Sequence, residues 1–317
     1  MPPTCDDWLS FVRPRLSETL VGRQPFERLR EVACQLPGDG LAALEIRLAP
    51  DRDAVDLSIK VPRPCGLVGT FSSLPHLQQL LRRWSGGDLP IISSLWLEFD
   101  LARPPDGQPD PVVCAEVARG SDPVLTLDAV LPALDPAQRA QTLRCLAEIP
   151  PPARLLYLFD LSARGTRALR LEVLGLAPDA APAYLQRVAP GLAPAVADAA
   201  PLLAGVERPH LSFDVGPEGI GPRAGLEGSF VKGPHREPRW RELFDRLVDR
   251  GLCAPEKRDA VFAWPGQETF WSAPGRWPAE AAGTRGVCVR ALSHVKVVAR
   301  PDREPEAKAY LLFGWVW

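Results

Sequence analysis

The feature that most constrains this chain is a pattern that comes round five times, a helical stretch followed by two alternating apolar-polar segments, at intervals of about sixty residues. The rounds span roughly 1–61, 70–118, 126–176, 178–231 and 237–317. In the first, a helical stretch over 6–35 leads to strands at 44–48 and 55–61, joined by the turn residues Pro50, Asp51, Arg52 and Asp53. The second has a helix over 74–84 and strands at 95–101 and 112–117, with a turn rich in Pro, Asp and Gly between them. The third and fourth place strands at 156–161 with 169–173 and at 210–215 with 226–230, after helices near 136–148 and between 178 and 204. The last opens on the amphipathic helix bearing Trp240, Leu243, Phe244, Leu247 and Val248. It closes on two strands within 288–317 that face each other across Pro301-Asp302.

A helix and a hairpin cannot bury their apolar faces alone, so such units gain a core only by stacking on their neighbours. Ten strands in five hairpins, each behind a helix, predict an α+β fold. It is a ten-stranded antiparallel closed barrel with a solvated lumen, surrounded by helices, in which 1–317 forms a single domain. The alternative is two separate open sheets. Polar inward faces on all ten strands favour closure, because an open sheet backed by helices would show scattered solvent-type residues there.

Composition enters as a set of exclusions. With 46% hydrophobic and 24% charged residues and a net charge of -2, the chain has no diffuse basic footprint for nucleic acid, so any basic site must be local. No run reaches the length of a membrane span, and Met1 to Asp7 lack the basic start and apolar core of a secretion signal. These features predict a cytoplasmic protein with neither nucleic acid nor membrane as partner. Seven cysteines without any Cys-x-x-Cys spacing argue against a zinc site or a disulfide framework, and most are expected to be small buried side chains. No metal site is predicted.

If the apolar faces meet the helices, alternation names the lumen lining. It comprises Glu45 and Arg47; Ser58 and Lys60; Trp96, Glu98 and Asp100; Cys114 and Glu116; Asp160; Arg170 and Glu172; His210, Ser212 and Asp214; Glu227 and Ser229; His294 and Lys296; and Lys308 and Tyr310. So many ionisable groups require water or a polar ligand, since an isolated buried charge costs several kcal/mol. In sequential pairing Lys296, Lys308, Arg47 and Lys60 fall on adjacent strands. Cations beside a tyrosine hydroxyl suit a diphosphate, with lysines as point charges and arginine as a fork. Equally, Glu45 and its acidic neighbours would neutralise those cations in cross-strand pairs.

Helix-strand-strand-helix units closing a ten-stranded barrel around a solvated centre resemble the αββα aromatic prenyltransferases, the PT-barrel family, along the whole chain in repeat order. At residue level the resemblance rests on Lys308-Ala309-Tyr310, on single cations on alternate strands (Lys60, Arg170, Lys296), and on the early acid Glu98. It implies transfer of an allylic prenyl group from a diphosphate donor to an aromatic or peptide acceptor in secondary metabolism. Lys60, Arg170, Lys296 and Lys308 would hold the diphosphate with Arg47 on a neighbouring strand, Tyr310 would sit beside it, and Glu98 would be the base. The chain departs from the family in having only three tyrosines, which leaves carbocation shielding to Trp96 or Trp315, and in placing Glu116, Glu227 and Ser229 where cations or tyrosines are usual. No cofactor is firmly implied; Mg2+ accompanying the diphosphate is the one option, and no aspartate-rich metal motif is present. Asp6-Asp7 reads as the cap of the first helix.

Other residues carry alternatives. His294 with Lys296 forms a candidate proton-transfer pair, and His210 lies two positions along one face from Asp214 as a candidate oriented base. Nothing near Cys114 in sequence would lower its pKa. The segment 216–221 reads as a hairpin turn and not a phosphate loop. Trp264, Trp271 and Trp277 would rim a mouth or seal the barrel base. With these residues the same barrel also accommodates a peptide-tailoring lyase, cyclase or isomerase, or a non-catalytic peptide-binding module.

Overall fold

The computed structural model describes residues 3–67, 70–71, 74–101, 110–283 and 285–316. The Pro-, Asp- and Gly-rich turn at 102–109 lies outside the described residues, as do Met1, Pro2 and Trp317. The strands are β1 (Leu41–Arg47), β2 (Val55–Lys60), β3 (Ile92–Phe99), β4 (Val112–Val117), β5 (Arg154–Asp160), β6 (Leu169–Leu174), β7 (Arg208–Gly216), β8 (Gly219–Ser229), β9 (Gly266–Thr269), β10 (Val287–Arg300) and β11 (Arg303–Val316). The helices are α1 (Cys5–Val12), α2 (Arg23–Ala33), α3 (Pro75–Gly86), α4 (Pro123–Val130), α5 (Pro136–Ala147), α6 (Ala181–Val188), α7 (Ala193–Ala199), α8 (Arg239–Asp249) and α9 (Pro255–Ala263).

Each strand pairs antiparallel with the next through β8, β8 pairs with β10, β10 with β11, and β11 returns to β1. The ring is therefore closed. The closing register sets Leu41 opposite Gly314 and Arg47 opposite Lys308. The short β9 is an addition, pairing with the first residues of β10 outside the ring of ten. The fold is α+β, a closed ten-stranded antiparallel barrel with helices outside it, the PT-barrel architecture that the repeats predict.

Alternation explains why the ring closes with this face outward. Leu44, Ile46, Leu57, Leu97, Leu171, Val297 and Leu311 all point away from the lumen and are fully or almost fully buried beneath the helices. Each such side chain contributes about 1.5–3 kcal/mol on burial, which a solitary hairpin would forfeit. The helices meet them with Trp8, Leu29, Leu81, Leu185, Trp240 and Phe244.

Several elements depart from the expectation. The stretch 6–35 is two helices, because Pro14 lacks the N–H that would bond back into α1, and the chain re-enters helix only after Gly22. Thr4, and not Asp6-Asp7, is the N-cap of α1; Asp7 completes the capping box, and Asp6 pairs with Arg30 at 2.9 Å. Helices α4 and α9 and strand β9 were not expected. Pro123 and Pro255 occupy first-turn positions, the one place where a helix accepts proline. Strand β8 begins at Gly219, seven residues earlier than expected, so that only Pro217 and Glu218 form the turn.

No helix among the described residues is long and apolar enough to cross a membrane. The seven cysteines are free, and Cys34 alone is exposed.

Barrel closure leans on Gly314 in β11. Its φ of +148° is a conformation that side chains disfavour, and a Cβ there would stand 2.2 Å from the carbonyl oxygen of Gly40 on the facing chain. Gly314→Ala is expected to cost about 1–3 kcal/mol. The cost should appear in urea unfolding as a lowered midpoint at an unchanged slope.

Candidate functional site

The inward faces enclose two cavities that meet in the middle of the barrel. One, of about 540 Å³, is lined by aromatic and acidic side chains; the other, of about 270 Å³, is lined mainly by charged groups. Arg170 and Lys296 line both and mark the junction.

At the narrow end Arg47, Arg164, Arg170, Arg223, Lys296, Arg300 and Lys308 face Glu45, Asp56, Asp100, Asp214 and Glu306. Most of these charges are tied across strands. Arg170 Nε donates to Asp214 Oδ1 at 2.7 Å and Arg223 Nε to Asp214 Oδ2 at 2.9 Å. Arg47 Nη1 lies 2.7 Å from Asp56 Oδ2 and 3.2 Å from Glu45 Oε1, while Lys308 Nζ donates to Glu45 Oε1 at 2.8 Å. The Tyr310 hydroxyl donates to Glu45 Oε2. Arg164 reaches in from the β5–β6 connection and grips Asp100 at 2.6 Å.

The pairing does not cancel the charge. Cations outnumber carboxylates around this cavity, and Asp214 serves two guanidinium groups at once. Burial would raise the Asp214 pKa, but Arg170 and Arg223 outweigh it and hold it at about 2. Burial lowers the Arg223 pKa, and the nearby Arg170 and Arg164 push the same way despite Asp214. An anion entering here meets preformed donors in a positive potential.

Gly225 helps to shape the junction. A Cβ on it would fall 2.4 Å from Lys296 Cε and 2.6 Å from Ser212 Oγ, so its bare backbone leaves the space over β8 that Lys296 occupies beside Glu227.

The larger cavity carries Trp96, Tyr157, Phe159 and Tyr310 on its wall. The guanidinium of Arg170 lies 5.7 Å from the centre of the Phe159 ring, joining the aromatic wall to the cationic end. Glu98 also lines this cavity, 3.6 Å from Arg164. Burial, reinforced by Glu45, outweighs Arg164 and raises the Glu98 pKa to about 7, the range of a group that exchanges protons near neutrality.

Glu172 and Glu227 stand on the same wall. Glu172 Oε1 is 2.6 Å from His210 Nδ1; Glu227 accepts from Lys296 at 2.6 Å and from Ser212 at 3.1 Å, and lies 3.2 Å from His294 Nε2. The His294 ring stacks on Tyr310 at 4.0 Å.

The predicted residues distribute as follows. Trp96, Glu98, His294 and Tyr310 line the larger cavity, Arg47 and Lys308 the narrow one, and Arg170 and Lys296 both. Lys60, the last residue of β2, is paired opposite Trp96 but is exposed and lines neither cavity, because it stands at the open end of the strand. Asp160 belongs to the helix side, where it lies 3.1 Å from His76 Nε2; on β5 the inward residues are Arg154, Leu156, Tyr157 and Phe159, with a register shift between Leu155 and Tyr157. Between its terminal charges, Arg154 and Asp160, the strand is apolar on both faces, so alternation gives no phase there. His210 is oriented by Glu172 and not by Asp214, which is occupied by arginines.

Trp315 stacks on Trp8 of α1, on the outer side of the barrel, and lines neither cavity. Trp264 and Trp277 are buried against the barrel exterior, while Trp271 is exposed. The Cys114 thiol, facing the lumen, is pushed well up by burial and by Glu98 and Glu172, away from nucleophilic use.

Asp56, Tyr157, Phe159, Arg164 and Arg223 were missed. Counting back by twos from Glu227 would have found Arg223, and from Ser58 would have found Asp56. Nothing in the alternation points to Arg164, which comes from a loop.

No family model matches the chain, and no curated protein matches it. Among solved structures it is similar to the apo form of prenyltransferase PriB, with 15% sequence identity and a TM-score of 0.49, over 96% of this chain and 94% of that one.

Proposed function

We propose that this protein transfers an allylic prenyl group from a diphosphate donor to an electron-rich aromatic acceptor, free or within a peptide. The observation that carries the reading is the division of one lumen into a cation-surplus end and an aromatic-walled end, with Glu98 on the wall beside the junction. The diphosphate takes the narrow end, held by Arg170, Arg223, Lys296, Lys308 and Arg47. The allylic carbon-oxygen bond breaks with its electron pair leaving on the diphosphate, whose charge these cations stabilise as it develops. The carbocation lies between Trp96, Tyr157, Phe159 and Tyr310, whose ring faces stabilise it and keep water away. The acceptor ring supplies the electron pair for the new carbon-carbon bond, and Glu98 takes up the proton that the ring then loses.

Calorimetry with dimethylallyl thiodiphosphate, a slow-reacting donor analogue, tests the anion half of this reading. Saturable binding is expected, weakened about 10- to 100-fold in Arg223→Ala, since a charge-assisted hydrogen bond is worth about 1.5–3 kcal/mol. Absence of binding in the unmodified protein overturns the reading. Transfer itself is read by mass spectrometry as a gain of one prenyl group on an indole, phenol or peptide acceptor.

A further inference from the structure

We propose that Glu172, His210 and Glu227 form a binding site for one divalent transition-metal ion on the wall of the larger cavity, a site that goes beyond the prenyl-transfer reading and does not depend on it. The barrel register puts these residues in one layer. His210 on β7 sits directly opposite Glu227 on β8, and Glu172 on β6 is diagonal to it, its Cα opposite Ser212. One ligand atom from each residue lies within 4.8 Å of the others.

A second observation separates this cluster from an ordinary ion pair. Glu172 is 4% exposed and lines the cavity, yet only its Oε1 is engaged; Oε2 takes no hydrogen bond among the described residues. That oxygen is not among the fully enclosed atoms that lack a partner; it opens onto the cavity, with its lone pairs free to accept a cation.

The spacing suits an ion. Two donors on one tetrahedral Zn2+ stand about 3.4 Å apart, given metal-ligand distances near 2.1 Å. His294 Nε2 is already 3.2 Å from Glu227 Oε2, within reach of serving as a further donor. Glu172 Oε1 and His210 Nδ1, at 2.6 Å, share a proton where the ion would sit, and need to part by roughly 0.8 Å to admit it.

Charge favours the same outcome. Glu172 and Glu227 bring two carboxylates to the site and Lys296 pairs with Glu227; around the whole cavity Arg154, Arg170, Arg208 and Lys296 match Glu98, Glu116, Glu172 and Glu227, so the attraction for a dication is local to Glu172. Imidazole with carboxylates selects Zn2+, Fe2+, Co2+ or Mn2+ over Mg2+, which prefers oxygen ligands and its own waters. Three protein donors leave coordination positions facing the cavity, the arrangement of a metal that takes a ligand oxygen and not of a closed structural site.

The test is calorimetric titration of the EDTA-treated full chain with ZnCl2, and then with MgCl2. One Zn2+ per chain is expected, with little or no response to Mg2+. His210→Ala and Glu172→Gln should each weaken Zn2+ binding by more than about 100-fold, beyond the 10- to 100-fold typical of residues outside the coordination sphere. His235→Ala, at an exposed histidine remote in sequence from the cluster, should leave it unchanged. No uptake in molar excess of Zn2+, or equal uptake by His210→Ala and Glu172→Gln, overturns the proposal. Should the variants fail to fold, the visible spectrum of the unmodified protein with Co2+ decides. An intense low-symmetry band supports the site, and the spectrum of the free aqua ion overturns it.

Discussion

Glu98→Gln is expected to lower kcat/KM for prenyl transfer by about 10²–10⁴-fold, the usual span for removal of a positioned general base. The substitution keeps the shape of the side chain and its place 3.6 Å from Arg164, so the loss reads proton acceptance and not packing. The pH profile supplies the check. Burial and Glu45 raise the Glu98 pKa to about 7, so the base form becomes dominant only above that pH. In the unmodified protein kcat/KM should climb through neutrality, and in the variant the step should vanish. A variant that retains both the rate and the step would remove Glu98 from the mechanism.

Stability should move the other way. A carboxyl whose folded pKa is raised binds more protons folded than unfolded between its ordinary value and about 7, so stability declines as pH rises across that window. Glu98→Gln escapes this cost. It should be more stable than the parent by about 1–3 kcal/mol at pH 8, with the difference gone below the ordinary carboxyl range. Paired urea unfolding curves at the two pH values measure both sides of this statement.

Glu268→Ala should destabilise the protein by about 3–5 kcal/mol, the cost of leaving a buried charge without its partner. Glu268, on β9, accepts from Arg290 at 2.6 Å and from Arg276 at 2.6 Å, with Arg15 at 3.4 Å. Arg290 is 8% exposed and otherwise donates to the Trp264 carbonyl. Without the carboxylate its guanidinium has no countercharge among the described residues. Burial would raise the Glu268 pKa, but Arg276 and Arg290 outweigh it and lower it. The pair therefore contributes above the ordinary carboxyl range and loses its contribution as pH falls through the lowered value. Thermal unfolding should shift down by roughly 5–8 °C. The double replacement Glu268→Met with Arg290→Met should recover much of the loss, because the orphaned charge goes too. A single variant as stable as the parent would show that water already solvates Arg290.

Much of the fold was legible because it rests on period and repetition. Leu44-Glu45-Ile46-Arg47 and Val295-Lys296-Val297 alternate unambiguously, and the barrel follows from faces that must find partners. The candidate site was partly legible for the same reason: Glu98, Arg170, Lys296, Lys308 and Tyr310 lie where alternation put them. Where period failed, so did the reading. On β5 both faces are apolar between Arg154 and Asp160, so Asp160 was assigned inward when Tyr157 and Phe159 face the lumen. Arg164 enters from a connection that has no period at all.

The antiparallel ring, its order and the polarity of its lumen follow from the chain alone, since they depend on neighbours along it and on which faces are greasy. Which charges meet is set in three dimensions. Whether Glu45 answers Lys308, Asp214 serves both Arg170 and Arg223, or Glu172 leans on His210 depends on strand stagger, which sets height along the barrel. Stagger is fixed by packing and pairing over the whole ring, and no single segment encodes it.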